Sequence, residues 1–145
     1  MKKYFSAKIS TGFTLIEMLV VISIIGILAT LVAANLNSAR SRARDAQRKS
    51  DLKNIETALR LYYNDNSRYP DPSQLPWGGQ WASGNTVYME TLPKDPLSPT
   101  QDYVYKLGTS TDNYTLYACL ENSSDPNGVA SGNLCSSGTM FQIQQ

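Results

Sequence analysis

The sequence predicts an α+β chain: one long N-terminal helix, half apolar enough to cross a bilayer and half amphipathic, packed on a small antiparallel β-sheet. Three observations predict it. Residues 13–34 form an unbroken apolar run, residues 52–62 carry apolar side chains at spacings of three and four, and the last third alternates short β-prone runs with turn residues. A chain of 145 residues accommodates one such domain plus an accessory segment.

The apolar run is about 22 residues long, and a spanning helix needs roughly 20. A secretory leader would have a shorter apolar core followed by a small-residue cleavage site. Here the core is too long and Arg40 follows closely, so the run reads as an anchor that is retained. Lys2, Lys3 and Lys8 precede it, but Arg40, Arg42, Arg44, Arg48 and Lys49 follow it, and a bare positive-inside count would leave the C-terminal part in the cytoplasm. Cys119 and Cys135, in a Gly/Ser/Asn-rich tail, point the other way, to a disulfide in an oxidising compartment; two free thiols are the alternative.

No Pro or Gly interrupts residues 27–65, so anchor and amphipathic half are expected to form one helix. Leu52, Ile55, Leu59 and Tyr62 make the face that buries the domain. Arg42, Lys49, Lys53 and Arg60 fall on a separate stripe, and Asp45 with Lys49 and Glu56 with Arg60 form acid-first pairs four apart. This basic collar reads as a solvated face between subunits rather than a DNA or anionic-lipid site. The formal net charge of +1 does not mark a nucleic-acid partner. Without histidine, and without a Ser/Lys or Cys/His constellation, nucleophilic catalysis has no residues to stand on, and no enzyme activity is expected.

After the helix, "YYNDNSRYPDP" switches to turn-forming residues, and Pro70, Pro72 and Pro76 forbid regular helix. The stretch to Pro99 reads as a long connection with a little local structure around "TVYMETLPKDP". Three strands follow: "YVYKL" from Tyr103, "YTLYACL" from Tyr114 and "MFQIQ" from Met140. A disulfide between Cys119 and Cys135 would tie the second to the loop before the third, stabilising by roughly 3 kcal/mol in the chain-entropy model. Trp77, Trp81 and the tyrosines are read as packing residues in preference to an exposed adhesive patch.

Gly12-Phe13-Thr14-Leu15-Ile16-Glu17, after a short lysine-bearing leader and before the apolar run, resembles the N-terminus of type IV pilins and type II secretion pseudopilins. The resemblance implies the pilin-like fold and a leader of residues 1–12, removed by a prepilin peptidase that cuts between Gly12 and Phe13 and N-methylates Phe13. It implies a transmembrane and filament-core helix over 13–36, and a head over 37–145 outside the cytoplasm, first at the inner membrane and then in a pilus or pseudopilus. The implied partners are the peptidase, the lipid bilayer, an inner-membrane platform with its assembly ATPase, and other copies of the chain in a helical filament. Cutting creates a charged amine at Phe13 beside the hydrocarbon, and intramembrane acids usually have a partner. Glu17 lies about 6 Å further along the helix axis, so its carboxylate can neutralise that amine in its own subunit or a neighbour.

"YYNDN" with Tyr69-Pro70, and Leu92-Pro93-Lys94-Asp95-Pro96, resemble segments of major pseudopilins. The chain departs from the family twice. The Trp-Gly-Asn that usually follows the second motif in secretion pseudopilins is absent, which counts against that subtype, and Ala34 stands where many members carry proline. No cofactor is expected, apart from the calcium that some major pseudopilins bind in a late loop, which would fall somewhere from Asp112 to Asn127 here. The rival from another class is a monomeric membrane-anchored binding module, which has no use for Gly12 before Phe13 or for Glu17.

Overall fold

The computed structural model describes residues 12–145, so the segment 1–11, with its three lysines, lies outside the described residues. The described chain is α+β: one helix, α1 (Leu15–Asn66), a 3-10 turn (Pro72–Gln74), and six strands. These are β1 (Trp81–Ser83), β2 (Thr86–Met89), β3 (Val104–Leu107), β4 (Tyr114–Cys119), β5 (Val129–Ala130) and β6 (Thr139–Gln144). Two compact units divide the chain, one up to Ser38 and one from Ala39 to Gln145, and α1 contributes to both.

Helix α1 runs without interruption through Gly26 and past position 34, as expected where no proline removes a backbone donor. It ends where Ser67 takes a φ of 52° and its N–H reaches the Tyr63 carbonyl at 2.7 Å, a left-handed residue closing the last turn.

In the second unit Leu52, Ile55 and Leu59 are fully buried and Tyr62 nearly so, matching the face read from spacing. Full burial of each aliphatic side chain contributes roughly 1.5–3 kcal/mol. The face packs against an antiparallel sheet of order β3-β4-β6-β5. Alternation decides which side chains meet the helix. Tyr105, Leu116 and Ile143 are register partners on one face, together with Tyr114, Ala118 and Phe141. The opposite face carries Val104, Tyr117, Cys119 and Met140, packed with Cys135 in a smaller cluster. A disulfide joins Cys119 to Cys135, with Cα atoms 5.5 Å apart and a sequence separation of 16, and so ties the loop before β6 onto β4.

The stretch read as a long connection holds more structure than expected. β1 and β2 form a hairpin whose two-residue turn has Gly84 at a φ of 59°, the sign a type II′ turn demands at its first central position. The hairpin lays Trp81 against Tyr62, stacked with ring centroids 5.4 Å apart, and Tyr88 edge-on at 5.1 Å. Trp81 is 2% exposed, and Tyr62, Tyr69, Tyr103, Tyr105, Tyr114 and Tyr117 are all buried, so these aromatics are core. β5, which pairs Val129 with Met140 at the sheet edge, is also additional to the three strands read from the sequence.

Candidate functional site

The N-terminal segment is built around the motif. Gly12, Phe13 and Thr14 precede the helix in non-helical conformation, and Phe13 is 75% exposed. Thr14 caps α1: the Glu17 amide donates to Thr14 Oγ1 at 3.3 Å, while Glu17 Oε2 accepts from the Thr14 amide at 2.9 Å and its hydroxyl at 2.7 Å. This is a capping box, two orphan donors of the first turn satisfied reciprocally. Its signature, Thr-x-x-Glu before an apolar run, was present in the sequence but overshadowed by the charge of Glu17. The capping box fixes the carboxylate within one turn of Phe13 and leaves the Gly12–Phe13 bond outside the helix. Beyond it Leu15, Ile16, Ile22, Ile27, Leu31 and Val32 are all exposed, on the one described helix long and apolar enough to cross a membrane.

The second unit holds an ion cluster that the sequence reading missed. Arg48 is fully buried: its Nε donates to Asp95 Oδ2 at 2.7 Å, its Nη2 to Asp95 Oδ1 at 3.0 Å, and its Nη1 to Asp45 and Glu121 at 2.7 and 2.8 Å. Asp45 in turn accepts from the Glu121 and Asn122 amides at 2.9 and 2.8 Å, and Asp95 from the Leu97 amide at 2.8 Å. Arg44 makes a two-pronged pair with Glu121, and Lys49 reaches Asp125 at 2.7 Å. One short stretch of α1 thus pins the Leu92-Pro93-Lys94-Asp95-Pro96 motif itself, at Asp95, and the chain leaving β4. The basic collar is therefore split. Arg44, Arg48 and Lys49 face acids of their own chain, Arg42 and Lys53 are exposed, and Arg60 pairs with Glu56 at 2.7 Å. The expected Asp45–Lys49 pair does not form, because Asp45 is drawn inward by Arg48 and the two amides.

Hydrogen bonds from Arg44, and then Arg48, outweigh partial burial and pull the Glu121 carboxyl from 4.5 down to about 2. Lys49 likewise lowers Asp125. A depressed carboxyl adds stability that is complete above its unfolded pKa and lost as pH falls through the folded one. The urea midpoint of the full chain in detergent should therefore fall between about pH 4.5 and pH 2. Glu121→Gln should flatten that fall; an unchanged pH slope would show that Glu121 does not couple to folding.

The late-loop calcium expectation meets carboxylates that already have partners within the chain. Asp125 holds Lys49, while Asp112, at the other end of β4, accepts from the Tyr63 hydroxyl at 3.3 Å. Among the described residues no group of three or more acidic, histidine or cysteine side chains is placed to hold a metal.

Comparison with known proteins agrees with the two units taken separately. A model described as the prokaryotic N-terminal methylation motif matches residues 8–33, and one described as type II secretion system protein G matches residues 35–129. The chain is 34% identical to type II secretion system core protein G of Vibrio cholerae over 134 residues, 85% of this chain and 90% of that protein. It is 41% identical to the Klebsiella pneumoniae protein of the same name over 108 residues, 62% of this chain and 76% of that one. The Escherichia coli protein is 46% identical over 104 residues, 64% of this chain and 69% of that one. No solved structure matches. The missing Trp-Gly-Asn, which counted against the secretion subtype, is outweighed by a match over most of the second unit. With the motif ahead of an exposed apolar helix and the protein G match behind it, the chain belongs to the type II secretion system protein G family.

Proposed function

We propose that this chain is the structural subunit of a type II secretion pseudopilus, cut between Gly12 and Phe13, N-methylated at Phe13, and anchored by a single span over 13–36 with residues 37–145 outside the cytoplasm. The observation that carries this reading is an exposed apolar helix headed by Gly12-Phe13-Thr14-Leu15-Ile16-Glu17. So much apolar surface requires lipid or a neighbouring helix. The reading supplies both in turn, bilayer before extraction and other subunits afterwards. Head-to-tail contacts that do not close into a ring make a filament. Glu17 sets the stagger, because any register that leaves it or the Phe13 amine buried and unpaired is penalised.

Intact-mass analysis of protein from a membrane that holds the peptidase should show loss of residues 1–12 and one added methyl group. Gly12→Ala should slow or block the cut. A mature chain still beginning at Met1 would overturn the reading.

A further inference from the structure

We infer that α1 itself supplies the positive charge that organises residues 120–138, through Arg44, Arg48 and Lys49, so that this loop folds without a divalent cation and excludes one. The inference concerns the folding of the second unit and stands apart from filament assembly.

The side-chain oxygens of Glu121, Asn122 and Asp125 already have donors. Glu121 is held by Arg44 and Arg48, and Asp125 Oδ2 by Lys49 Nζ at 2.7 Å. Asp125 Oδ1 accepts from the Asn127 amide at 2.9 Å, and Asn122 Oδ1 from the Ser124 amide at 3.2 Å. Three backbone carbonyls of the loop accept hydrogen bonds as well. Asn122 O accepts from the Asp125 amide at 3.2 Å, Asp125 O from Gly128 at 3.0 Å, and Ser123 O from the Thr139 hydroxyl at 3.3 Å.

Calcium requires about six to eight oxygen ligands at roughly 2.3–2.6 Å. Any ion on Asp125 would sit within a few ångströms of the Lys49 ammonium, and like charges at that range repel strongly outside bulk water. The far half of the loop is secured independently by Cys119–Cys135. Close packing adds to this: a side chain at Gly128 would run into Thr139 Cγ2, so the loop lies directly on β6. Lysine and disulfide together join the chain segments of this loop, one through charge and the other through a covalent bridge.

The test uses the full chain in detergent, with thermal unfolding followed by the near-ultraviolet signal of the packed aromatics. Midpoints in chelator and in millimolar calcium chloride should coincide, and calorimetric titration with calcium chloride should show no saturable binding. Lys49→Met should lower the midpoint and open 120–138 to protease equally with and without calcium, and Lys49→Arg should restore both. A calcium-dependent rise in the wild-type midpoint, or saturable binding in the micromolar range, would overturn the inference, because a ligand selective for the folded state must stabilise it. A Lys49→Met chain as stable and as protected as wild type would also overturn it.

Discussion

Glu17→Ala and Glu17→Gln should both reach the membrane and be cleaved at nearly normal levels, yet build few or no filaments. The two variants separate the two roles the carboxylate can have. In the single chain Glu17 completes a capping box with Thr14. Glutamine preserves that arrangement, whereas alanine loses the return bonds from Thr14 and keeps only the bond from the residue-17 amide to Thr14 Oγ1. Neither preserves the charge. If the carboxylate neutralises the Phe13 amine of a neighbour, both variants bury that amine unpaired at every contact, and loss of a buried partner costs about 3–5 kcal/mol. Repeated along a filament, that penalty prevents growth. Filaments from Glu17→Gln as abundant as wild type, with none from Glu17→Ala, would assign the residue to capping alone.

Arg48→Met is the most damaging single change expected in the second unit. Its side chain is fully buried among Asp45, Asp95 and Glu121, and the last of these is 23% exposed. Burial alone would lower the arginine's affinity for its proton; the three carboxylates more than reverse that. Removing the guanidinium strands Asp45 and Asp95 without a counter-charge, a loss of about 3–5 kcal/mol. For a unit of this size the melting midpoint should drop by on the order of 10–20 °C. Arg48→Lys keeps a charge but not the two-pronged grip on Asp95, and should fall between. Near-ultraviolet circular dichroism of the full chain in detergent reads both, and a midpoint for Arg48→Met within a few degrees of wild type would show the cluster to be energetically idle.

Residues that obeyed a periodic rule were legible. Leu52, Ile55, Leu59 and Tyr62 lie on the buried face because helix period and apolarity agree, and the strands containing Tyr105, Leu116 and Ile143 fall where alternation puts them. Arg48 was illegible for an instructive reason. It continues the same spacing, four residues before Leu52, but pattern reading assigns a charged residue to solvent. Only partners distant in sequence, Asp95 and Glu121, make its burial affordable. Local structure was legible around Thr86–Met89, which is β2, but its pairing with β1 was not, although Gly84-Asn85 is a recognised turn signal, because prolines on both sides made the rest of the stretch read as loop. β5 is two residues long and owes its conformation to pairing with β6, which leaves no local signal. The motif around Glu17 was legible as a family signature, while the role of Thr14 as its hydrogen-bond partner became visible only with geometry.

Electron cryo-microscopy of filaments sheared from cells that carry this chain and its peptidase tests the central claim most directly. The account predicts a helical array of subunits that begin at Phe13, with each Glu17 carboxylate within about 4 Å of a neighbour's Phe13 nitrogen, the range of an ion pair. Filaments lacking this chain, or subunits in which Glu17 meets only its own Thr14 while the Phe13 amines lie elsewhere, would contradict it.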